Sequence, residues 1–167
     1  MSEKHEAGEG GSADDERWAA PGAILRLPIP RSVDLVSSAW ALLGRYQGNT
    51  GVRTRLRVSR HWPQRIGEEA GAALHRILEQ ALEHIQTRSE SASHVDVELE
   101  SERDRLVLVV RADGGQAAQA GTPADDEPSL RRLHEWAIAH GGNVVVVSDG
   151  AGTTVRATVR RPGGQDR

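Results

Sequence analysis

The stretch RLVLVVR, residues 105–111, sets five apolar residues in unbroken succession between two arginines. In an extended chain, successive side chains point to opposite faces, so this segment leaves no face for water. It reads as a central strand covered on both sides. The segment before it, HVDVELE at 94–100, alternates apolar and polar residues and reads as a half-buried neighbour. A sheet of this kind needs helices over it. Pro63 precedes a long helix over 65–88, with Ile66, Ala70, Ala73, Leu74, Ile77, Ala81, Leu82 and Ile85 on one stripe.

The remaining elements follow the same two periods. Ser32 is a capping residue for a helix to about Tyr46, with Val33, Val36, Trp40 and Leu43 on one side, and GNTG breaks it. GVRTRLRVS then has period two: Val52, Thr54, Leu56 and Val58 share one face, and Arg53, Arg55 and Arg57 the other. The arginine row reads as a solvated strand face that discourages edge pairing. Residues 113–127 are polar and rich in Gly and Ala, and read as a mobile loop. LRRLHEWAIAH is a helix stopped by Gly141 and Gly142. VVVVS and TTVRATV form a hairpin across DGAG. Strands in consecutive pairs beside helices give an α+β class: a two-layer sandwich, with a mixed sheet covered on one face. Trp40 and Trp136, on apolar stripes, are expected in the core.

Residues 1–22 are acidic, rich in Gly and Ala and poor in large aliphatics, which predicts a disordered tail. Residues 163–167 read the same way. The domain therefore spans 23–162, with 32–46 as a helical N-terminal extension that could serve a homodimer. A formal net charge of −3 offers no field for nucleic acid or an anionic membrane. The absence of Cys fits a reducing compartment. No apolar run approaches a membrane span and no signal-peptide core is visible, so a cytoplasmic location is expected. His75 and His84 lack the i,i+4 spacing of helical metal pairs, and no metal site is expected.

Several phrases carry a family resemblance. ALHRILEQAL resembles the start of the N-box helix of sensor histidine kinase ATPase domains, which share a superfamily with gyrase and the anti-sigma kinases. SHVDVELESERDRLVLVVRADGG is similar to the hairpin leading into that family's Asp-x-Gly-x-Gly turn. SLRRLHEWAIAHGGNVVVVSDGAGTTVRATV looks like its closing stretch, with Gly-Gly after the helix and Gly152-Thr153 opening the last strand. The subtype it looks most like is the one that partners LuxR-type response regulators. The resemblance covers about residues 27–162 and implies the histidine-kinase-type ATPase fold.

It also implies where ATP chemistry would sit. The family uses a Glu base on the N-box helix, an Asn four residues later holding Mg²⁺, an Asp that accepts from the adenine amino group, and a Gly-rich lid for the phosphates. The base position falls on Gln80, whose amide takes no proton near neutral pH. Glu79 lies about 100° around the helix. The Asn position falls on His84, and imidazole is a poor ligand for Mg²⁺. The parity of Leu106, Leu108 and Val110 brings Ala112 to the adenine position, while a one-residue bulge would bring Asp113 there, with Gly115 as the following Gly. The lid's Gly-x-Gly corresponds to Glu127-Pro128-Ser129, with Asp125 and Asp126 beside it; Pro128 has no N–H to offer phosphate. No phosphoacceptor is expected, since only His5 precedes His61.

The resemblance thus implies a degenerate ATP site, a pocket remnant of Gln80, His84, Ala112, Asp113, Gly115, Ser129 and Thr153. No catalytic residue and no cofactor are expected. The chain would be a pseudokinase of a two-component system, a signal-transduction module binding a related kinase or another signalling protein. The alternative is an active ATP- and Mg-dependent protein kinase of the two-component or anti-sigma type, using Asp113.

Overall fold

The structure, a computed structural model, describes residues 32–88, 91–114 and 128–161. Both expected tails lie outside these residues, as do Gly115 and the acidic run 125–127. The elements are β1 (Ser32–Val33), α1 (Leu35–Thr50), β2 (Arg53–Val58), β3 (Ile66–Gly67), α2 (Glu68–Arg88), β4 (His94–Glu102), β5 (Arg105–Asp113), α3 (Pro128–Ala139), β6 (Asn143–Asp149) and β7 (Gly152–Arg160).

Five strands form one sheet in the order β2-β4-β5-β7-β6. β2 runs parallel to β4, with α2 as the crossover, and the other three pairings are antiparallel. The strand apolar on both faces is central: Leu106 to Val110 are all buried. One parity of each strand, including Leu56, Val97, Leu108, Val144 and Val155, joins Leu43, Leu74, Ile77, Ile85 and Leu133 in a single core. All three helices therefore lie on one face, as a two-layer α+β sandwich requires. α2 starts at Glu68 rather than 65, because Ile66 and Gly67 pair with β1; Ile66 and the rest of the expected stripe are all buried. Burying side chains of this size typically stabilises by about 1.5–3 kcal/mol each, which is why α2 anchors the fold.

The other face is a lattice of charge. Glu98 receives Arg57 at 3.1 Å and Arg111 at 2.6 Å, Arg156 reaches Glu102 at 2.8 Å, and Arg55 lies 3.8 Å from Asp96. The Arg111 hydrogen bond, aided by both guanidinium charges, holds the Glu98 carboxyl below its usual range.

The first helix departs from expectation. Ser32 and Val33 pair with Gly67 and Ile66 instead of starting it. Asp34 is the N-cap, accepting from Ser37 N–H at 3.2 Å. The helix runs on to Thr50, and Gly51, in the left-handed region at φ 74°, ends it. Its buried residues are Leu35, Ala39, Leu43 and Tyr46. Trp40, one position off this stripe, is 55% exposed, and Trp136 is 38% exposed, so neither is the core residue expected. With Leu43 buried and Trp40 outside, the expected stripe is divided between core and surface.

α3 begins at Pro128, where a missing N–H costs no helix bond. It closes through the Gly142 N–H on the Ala137 carbonyl at 2.8 Å. A Cβ at Gly142 would run into the Thr158 carbonyl, so the turn into β6 tolerates only glycine. No helix among the described residues is long and apolar enough to cross a membrane.

Candidate functional site

His84, seven residues after Ile77 and so on the same buried stripe of α2, meets the start of α3. His84 is 3% exposed, and its Nδ1 lies 3.3 Å from the Ser129 Oγ, an arrangement in which the tautomer decides which atom donates. One turn earlier, Gln80 donates from Nε2 to Glu83 Oε2 at 3.0 Å. Its Oε1 is buried with no hydrogen-bond partner among the described residues. Glu79 is turned elsewhere, receiving Arg76 at 2.9 Å with His75 at 3.8 Å.

The wall across from α2 is the end of β5 beside β7. The register of β5 runs without a bulge to Ala112 on the β4 side and to Asp113 on the β7 side: Val95 and Thr153 flank Ala112, and Gly152 stands opposite Asp113. Ala112 stays on the helix-covered face and is buried with Leu106, Leu108 and Val110. Thr153 is buried beside it, with Oγ1 3.1 Å from the Ser148 Oγ.

Asp113 is turned out of that wall. Its carboxylate accepts from Ser93 N–H, Ser93 Oγ–H and His94 N–H, each at 2.7 Å. The Ser93 hydroxyl bond is the main reason its carboxyl is held below the ordinary range, with the two N–H bonds and the nearby His94 adding to it against the opposing pull of desolvation. Ser91 adds a hydrogen bond to the Gly114 carbonyl at 3.0 Å. Gly114, at φ 71°, approaches the Ser91 carbonyl too closely for any Cβ. Together these contacts clip the end of β5 to the link between α2 and β4. Sequence reasoning missed Ser91 and Ser93; two serines just before a half-buried strand were their only signal.

Of the residues singled out in sequence, His84 and Ser129 meet directly, Ala112 and Thr153 are cross-strand neighbours, and Gln80 shares a side of α2 with His84. Asp113 stands apart, and Gly115 lies outside the described residues. The groups brought together are chemically mixed: His84 offers a buried imidazole beside Ser129, Gln80 an amide whose oxygen can ligate but takes no proton near neutral pH, and Ala112 a methyl group. No group of three His, Cys, Asp or Glu among the described residues could hold a metal ion.

No protein-family model matches the chain, and no curated protein matches it in sequence. Solved structures do match it in shape. The histidine kinase domain of the Erythrobacter litoralis EL346 blue-light activated histidine kinase superposes with a TM-score of 0.64 at 14% identity, covering 76% of this chain and 61% of that one. The Acinetobacter baumannii histidine kinase AdeS gives 0.60 at 12% identity, over 77% and 64%. The catalytic domain of histidine kinase ThkA gives 0.59 at 11%, over 76% and 90%. This chain thus spans less than two thirds of the first two and nearly all of the isolated catalytic domain. At such identities the likeness is one of architecture, and the architecture of this chain is that of a histidine kinase catalytic domain.

Proposed function

We propose that this chain is a degenerate histidine-kinase-like ATPase domain that works in signal transduction as a binding or regulatory module without ATP turnover. The observation that carries the reading is the His84–Ser129 contact. At the place where the fold family anchors Mg²⁺ and opens its lid, an imidazole and a hydroxyl join α2 to α3. The amide at Gln80 and the unbroken parity that leaves Ala112 beside Thr153 support it. The engagement of Asp113 by Ser93 and His94 weighs against a shifted adenine contact. The partner is a related kinase or another cytoplasmic signalling protein that reads the surface of the domain rather than a nucleotide state.

The test is calorimetric titration of the purified protein with ATP and Mg²⁺. Each missing charge-assisted contact typically removes about 1.5–3 kcal/mol, so two or three lost contacts put binding beyond about millimolar ligand. No heat and no thermal shift are expected. The triple variant Gln80→Glu, His84→Asn, Ala112→Asp is expected to gain Mg-dependent binding. Tight Mg-dependent binding by the unmodified protein would overturn the proposal.

A further inference from the structure

The sheet has two edge strands, and they differ in a way that bears on association. β2 presents Arg53, Arg55 and Arg57, a charged row of the kind that keeps strand edges from pairing. β6 reads NVVVVSD: it has no Lys, Arg or Pro, and its register with β7 has no bulge. Val145 and Val147 are 50% and 55% exposed on the open face. Among the described residues, no strand pairs with its outer side.

We propose that β6 pairs antiparallel with β6 of a second copy about a two-fold axis at Val146, joining two five-stranded sheets into one. The strand is complementary to itself in that register, the one that uses all seven residues. Val145 faces Val147 of the other copy and the reverse, giving two apolar cross-strand pairs on the open face. Val144 faces Ser148. The only charged residue of the strand, Asp149, meets the amide of Asn143 instead of a second carboxylate. An isologous contact of this kind closes after two copies.

The helix layer favours the same partner. Ser129 touches α2 through His84, and Ile138, nine residues further along α3, lies half a turn around the helix from it. Ile138 is therefore on the flank away from α2, on a helix that packs over β6 and β7. It is 67% exposed. The two-fold axis brings this flank of each copy towards the other above the joined strands, covering both Ile138 side chains.

Sedimentation of the full chain at a concentration on the order of 0.1 mM is the first measurement, and a dimer is expected. Val145→Lys with Val147→Lys places charges on two exposed positions. The melting temperature of protein diluted to monomer should not change, while the dissociation constant should rise at least about tenfold. The chain has no Cys, so register can be read by oxidation. A mixture of Val145→Cys and Val147→Cys proteins should form covalent dimers several-fold faster than either variant alone. A wild-type monomer at that concentration, or a dimer that survives the double lysine variant, would overturn the proposal. So would a dimer lost on Trp40→Ala, which would move the interface to α1. Equal cross-linking of each cysteine variant with itself would refute the register.

Discussion

Two sets of residues on α2 answer to different demands. Ala70, Ala73, Leu74, Ile77, Ala81, Leu82 and Ile85 all sit in the core, at the spacing and bulk that the sheet beneath demands. His84, within the same buried stripe, and Gln80 at its edge are the polar residues on which the proposed function turns. Packing asks only for apolar volume at a helical period, which many sequences satisfy. Chemistry asks for one atom type at one place. A fold therefore does not vouch for its site, which has to be judged on its own atoms.

The largest expected effect comes from the packing side. Ile77→Ala should destabilise by about 2–5 kcal/mol, read from denaturant unfolding, because the cavity lies where α2 meets the sheet. A loss below 1 kcal/mol would show that the core is looser than its burial implies.

Ala112→Asp should cost about 1–3 kcal/mol, since a carboxylate enters a buried wall beside Thr153. If the variant is as stable as the wild type, the pocket admits water and polar ligands more readily than its lining indicates.

Asp113→Ala should cost about 1–2 kcal/mol near neutral pH, the range for charged hydrogen bonds discounted for exposure. Its folded carboxyl is lowered from the ordinary 3.8. The stability it adds is complete above about pH 5 and disappears as pH falls through the folded value. Comparing the acid limbs of wild type and Asp113→Asn measures it. Identical limbs would mean that Ser93 and His94 do not hold the carboxylate in solution.

Gln80→Leu should shift stability by no more than about 0.5 kcal/mol in either direction. It gives up one bond to exposed Glu83 but also removes a buried oxygen without a partner. A large loss would place Gln80 in the scaffold and blur the contrast between it and the apolar residues of α2.

The five strands of the main sheet and the body of α2 were legible in the sequence because each is written in a single period, two or 3.6, over enough residues to be unambiguous, whereas Ile66 and Gly67, expected in the first turn of that helix, form β3. The turn after α3 was legible because Gly141 and Gly142 admit few alternatives. The start of α1 was not. Ser32 and Asp34 both suit a cap, and the choice depends on Ile66 and Gly67, which recruit Ser32 and Val33 into a ladder. Trp40 and Trp136 were misjudged because bulk and apolarity were read as burial, whereas the α1 core is built one residue away, on Ala39 and Leu43. At the site, residue types could be read, but contacts could not. The clip on Asp113 comes from Ser93 and His94, and the hold on His84 from Ser129, each a matter of tertiary placement.

The position of β7 has a consequence for how the protein is made. The last strand in sequence enters the middle of the sheet, between β5 and β6. Until it arrives, the most apolar strand of the molecule has one side without a hydrogen-bonding partner. At about 5–20 residues per second, the stretch from the end of β5 through β7 takes on the order of a few seconds to synthesise. Throughout that interval RLVLVVR is an open template for another chain. A nascent chain stalled between β6 and β7 should therefore be held by chaperones, and release should follow within a few residues of the last strand's emergence.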